Sequence, residues 1–104
     1  MSFTIMHRDG VTEPGTISML DDLVAELEGP LDQEDPDVAV AHVESGWMVS
    51  AFQSGRLVWE HPDLDLPPRH LVSVPRWQLI RVLVHVAKGE LFQVEALEWR
   101  PGYT

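Results

Sequence analysis

The chain contains no cysteine, which excludes a disulfide framework, a thiolate nucleophile and a cysteine-ligated zinc site. It is equally poor in positive charge. Seven Lys and Arg stand against 17 Asp and Glu, a formal net of −10. A nucleic-acid binder needs a basic footprint to replace phosphate counterions, so direct nucleic-acid binding is not expected. No apolar run approaches the roughly 18 residues that span a bilayer, so no membrane partner is expected either. The first residues, "MSFTIMHRDG", have neither the basic flank nor the apolar run of a secretory signal. The expectation is a cytoplasmic protein.

What is present is a globular composition, 44% hydrophobic in 104 residues. That is enough for one domain with a real core, residues 1–104, and too little for two. The charge is divided unevenly. Residues 1–46 carry Arg8 as their one base against acids that run from Asp9 to Glu44, and residues 47–104 balance to zero. A charge excess confined to one half costs self-repulsion and is suited to steering a basic partner or to solubility. Its densest stretch is "EGPLDQEDPD", Glu28–Asp37.

Patterning then gives the elements. "FTIMH" (3–7) alternates as a strand and ends in the turn-rich "RDGVTEPG". Ser18, with Asp21 three residues on, predicts a capped helix through Leu20, Leu23, Val24 and Leu27, stopped by Gly29-Pro30. "VAVAHV", "WMVSAFQ" and "RLVWE" are strands joined by short glycine-containing turns, an antiparallel meander. "HLVSV" (70–74) adds a fourth extended segment. "PRWQLIRVLVHVAKG" is a helix from Pro75 to Gly89 with a narrow polar stripe of Gln78, Arg81, His85 and Lys88. So wide an apolar surface must be covered on two sides. Alternation of Phe92, Val94 and Ala96 predicts a closing strand over 90–99. The order β-α-β-β-β-(β)-α-β defines an α+β domain, an antiparallel meander sheet with two helices packed on it.

Candidate chemistry is sparse. A calcium loop counted from Asp32 would need glycine at its sixth position and glutamate at its twelfth; Asp37 and Val43 stand there. "HPDLDLPPRH" gathers His61, Asp63, Asp65 and His70, oxygen and nitrogen donors without the spacing of a known zinc motif. The serines lie in no nucleophile elbow and the glycines in no phosphate loop. No catalytic residue, metal or cofactor is expected. Four tryptophans (Trp47, Trp59, Trp77, Trp99) fall in predicted elements and are expected in the core, Trp47 and Trp59 paired across a hairpin. One exposed indole could instead anchor an interface.

The closing segment "VPRWQLIRVLVHVAKGELFQVEALEW" resembles that of bacterial polymorphic-toxin immunity proteins, in particular the small α+β family numbered first among them. There too a proline (here Pro75) opens an apolar helix, a glycine (Gly89) ends it, and a short last strand carries a tryptophan (Trp99). "TISMLDDLVAELEGP" is similar to the family's early helix. The chain departs from it in placing Arg100-Pro101 after Trp99 and in a meander one hairpin short. The resemblance implies a non-enzymatic protein that binds a cognate secreted toxin in the cytoplasm. The acidic excess agrees in sign with a basic toxin cleft. Glu28, Asp32, Glu34, Asp35 and Asp37, extended by Asp63 and Asp65, are the expected contact residues. The alternatives are a small metal- or ligand-binding domain or enzyme built on the His61–His70 loop, and a homodimer formed through the helix around Trp77.

Overall fold

The structure is a computed structural model that describes residues 2–32, 34 and 36–104. Seven strands form one antiparallel sheet: β1 (Phe3–Met6), β2 (Thr12–Pro14), β3 (Asp37–His42), β4 (Met48–Phe52), β5 (Leu57–Glu60), β6 (Arg69–Leu71) and β7 (Arg100–Pro101). Their spatial order is β2-β1-β3-β4-β5-β6-β7, so the predicted meander is present with an extra strand at each edge. Three helices, α1 (Leu20–Ala25), α2 (Arg76–Ala87) and α3 (Leu91–Glu95), complete an α+β domain.

Strand alternation sets the core. Phe3 and Ile5, Val38 and Val40, Val49 and Ala51, and Leu57 and Trp59 stand on one face. They form one buried cluster with Leu20, Leu23, Val24 and Leu27 before β3 and with Leu79, Val82, Leu83 and Val86 of α2. Burying each large member contributes about 1.5–3 kcal/mol. The wide apolar surface of α2 is accounted for, since it meets α1, α3, β3 and β4. The other sheet face carries Thr4, Met6, Ala39, Ala41, Met48, Ser50, Phe52 and Val58.

Four expectations are corrected. Ser18 does not cap α1: a 3-10 turn over Ile17–Met19 precedes the helix, and no side chain caps either element. The segment "RDGVTEPG" is more than a turn, because its second half pairs with β1 as β2. The closing strand is a helix instead. Leu91 and Leu97 are half-buried and Val94 is fully buried, a three-residue spacing, while Phe92 of the apparent alternation is 86% exposed. Helical period therefore won over strand period here. Finally, the tryptophans do not share one fate. Trp59 is fully buried and Trp47 and Trp99 pack partly buried against the core, but Trp77 is 63% exposed.

Candidate functional site

The acidic connector runs from the end of α1 to the start of β3. Gly29 adopts φ +99°, a left-handed conformation that glycine accepts without steric cost, and turns the chain out of the helix. The connector is tied down by a residue that sequence reasoning missed. The Gln53 side chain accepts from Asp32 N at 2.8 Å and donates to the carbonyls of Leu27 at 3.2 Å and Pro30 at 3.0 Å. Its own amide donates to Pro36 O at 2.9 Å. Arg8 fixes the helix end, donating from Nη1 to Glu26 O at 2.7 Å and standing 3.6 Å from Asp32. The one available signal for Gln53 was its position at the end of a strand predicted to abut a hairpin.

The tethered loop presents Leu31, 81% exposed. Beside it opens a mainly apolar groove of about 310 Å³ lined by Leu31, Asp32, Pro36, Phe52 and Arg56.

The acids of the first half are not equally available to a partner. His7 bridges two of them, with Nδ1 2.5 Å from Glu26 and Nε2 2.5 Å from Glu13. Glu26, then Glu13, raises the His7 pKa above its ordinary value by accepting from the imidazolium. Glu44 accepts from Ser2 N at 2.9 Å, which lowers its own pKa. Asp37 opens β3 opposite Phe52, and neither it nor Asp32 is free of interactions within the fold. Glu28 and Glu34 are exposed, and among the described residues their carboxylates pair with no base. Asp35 lies outside the described residues.

Asp63 and Asp65 do not extend this surface. They are exposed in the loop after Glu60, which pairs with Met48 at the start of β4, whereas the acidic connector meets Phe52 at its end. The length of the sheet separates the two groups, on the order of 15 Å for a five-residue strand. The neighbouring histidines are spent on backbone: His61 Nε2 donates to Ser45 O at 2.7 Å and His70 Nδ1 to Gly102 O at 2.9 Å. Among the described residues no three His, Asp or Glu converge as a metal site.

One constellation has the residue types of an acyl-transfer centre. His42 Nδ1 is 2.8 Å from Ser45 Oγ, and its Nε2 is 3.4 Å from Glu44. However, Ser45 Oγ accepts from Trp47 N at 3.2 Å, and His42 Nδ1 accepts from Ser45 N at 3.3 Å. Those bonds close the β3–β4 turn, and the trio braces a hairpin. Gly46 at its tip has φ +79° and lies under the His61 ring, where a Cβ would fall 2.6 Å from Nε2.

No protein-family model, curated protein or solved structure matches this chain. Among the described residues no helix is long and apolar enough to cross a membrane.

Proposed function

We propose that this chain is a non-enzymatic, cytoplasmic immunity protein that neutralises a cognate antibacterial toxin by covering a basic cleft. The observation that carries the reading is the Gln53-tethered loop, which presents Leu31, flanked in sequence by Glu28 and Glu34, whose carboxylates pair with no base among the described residues. A loop held by its scaffold forfeits little ordering entropy on binding. Exposed carboxylates steer a basic partner into contact, and a desolvated aliphatic anchor slows its departure. The resemblance of residues 74–99 to the immunity family points the same way in Pro75 and Gly89 at the ends of α2, though Trp99 follows a helix and stands in no strand, and the net charge of −10 agrees.

The test uses the protein encoded beside this chain's gene. Its C-terminal domain should arrest growth when expressed alone, and co-expression of this chain should restore growth. In kinetic binding measurements, E28Q/E34Q should slow association about tenfold at low salt and flatten its salt dependence. Leu31→Ser should speed dissociation roughly 30-fold, about 2 kcal/mol. Absence of both binding and growth protection would refute the immunity reading. Tight binding indifferent to these variants would refute the loop as its surface.

A further inference from the structure

A second groove, of about 270 Å³, lies between α2 and α3. Val82 and Leu97 line it with the exposed indole of Trp77, and Arg81 brings positive charge to it. His85 is already 3.0 Å from Glu90, but Arg81 is exposed, and among the described residues it pairs with no acid. The groove thus offers an aromatic wall, an aliphatic lining and an uncommitted guanidinium. It fits an aliphatic side chain flanked by carboxylates, and the chain itself carries such a segment: Leu31 between Glu28 and Glu34.

We propose that two copies of this chain pair, each seating its Leu31 loop in the other's α2–α3 groove. Within one copy the loop does not fill its own groove, because Gln53 holds it toward the β4–β5 hairpin and Leu31 stays 81% exposed. The two halves nevertheless lie at the same end of the molecule. Arg76 Nη2 donates to Leu27 O at 3.4 Å, which sets the root of the loop against the first turn of α2, one residue before Trp77. Adjacent complementary halves permit a reciprocal exchange about a two-fold axis, which closes as a dimer and does not propagate into a filament. The net charge of −10 on each copy opposes association. That repulsion is spread over the surface and screened beyond about 8 Å at physiological salt, whereas Arg81 would meet the loop carboxylates at contact distance. Two small grooves make a weak, reversible interface. The pairing stands whether or not the same loop also meets a toxin.

Sedimentation equilibrium of the intact chain, from micromolar to millimolar, should show a monomer–dimer equilibrium. Trp77→Ala should raise the dimer Kd at least tenfold, with circular dichroism and thermal midpoint held, since the indole it removes is mostly exposed. Arg81→Glu should weaken pairing comparably, and R81E/E34R should recover most of the loss, which mere loss of apolar contact could not explain. A chain monomeric at millimolar concentration would overturn the proposal. A dimer whose Kd ignores Trp77→Ala and Arg81→Glu would overturn it too.

Discussion

The two ends of the sheet treat their polar groups in opposite ways. At the end holding the β3–β4 turn and the 61–68 loop, the polar groups around the stacked tryptophans are bonded inside the fold, although Asp63 and Asp65 of the loop stand exposed. Trp47 stacks on Trp59 with centroids 4.8 Å apart, and Trp99 stacks on the far side of Trp59 at 6.2 Å. Glu95 accepts from the buried Trp59 Nε1 at 2.8 Å and from Arg69 Nη1 and Nη2, each at 2.7 Å. At the end holding the 28–37 loop, backbone atoms are satisfied by Gln53, while Leu31 and two carboxylates are left facing water. Satisfied groups specify a structure; unsatisfied ones on a fixed backbone are available to something else.

The largest effect that would sharpen this contrast comes from Glu95→Ala. It strands the Trp59 indole N–H and frees Arg69, and should cost about 2 kcal/mol in urea unfolding, whereas Glu34→Ala at the other end should stay within about 0.5 kcal/mol. Equal costs would erase the distinction between the two ends. The Arg69 guanidinium, then the Trp59 N–H, hold the Glu95 pKa below its ordinary value. Its stabilising effect is therefore present above the usual carboxylate range and lost as pH falls through the depressed value.

A smaller effect is expected from Gln53→Ala, about 1 kcal/mol, because the carbonyls it releases can turn to water. Its distinctive signature is local: hydrogen exchange at the Asp32 amide should accelerate while exchange at β3 and β4 amides slows or holds relative to it. An unchanged Asp32 rate would mean that Gln53 does not restrain the loop.

The smallest is His7→Gln, under about 1 kcal/mol for a clamp open to solvent. Because the folded pKa of His7 is raised, its contribution is complete below the ordinary value near 6.5 and disappears as pH rises through the raised value. Wild-type stability should thus decline across that window, and the decline should vanish in the variant. A slope that survives His7→Gln would assign it to another group.

Much of the fold was legible because its signals are local. Pro75 and Gly89 bracket α2, with Gly89 at φ +72°, since the ring fixes φ and glycine alone enters the left-handed region cheaply. Gly46 and Gly55 set the meander turns in the same way. The segment over 90–99 was misread because Phe92, Val94 and Ala96 satisfy a strand pattern while Leu91, Val94 and Leu97 satisfy a helical one. Only the arrival of Val94 in the α2 core and of Glu95 at Trp59 decides between them. Of the candidate site, the acidic stretch was visible as composition. Which acids are spent, on His7, Arg8 or Ser2, was not, because those partners are up to 42 residues away in sequence.

By itself, then, the sequence determined the charge asymmetry, the absence of thiol chemistry, the α+β order of most elements and the start and stop of α2. These follow from residue counts and from steric rules that act within a few residues. The tertiary structure alone decided that Trp59 is buried and Trp77 exposed, that Asp63 and Asp65 stand at the far end from Glu28 and Glu34, and that Leu31 is held out by Gln53. Each of those depends on which surfaces neighbouring elements cover, a property of packing between distant segments that no local pattern encodes.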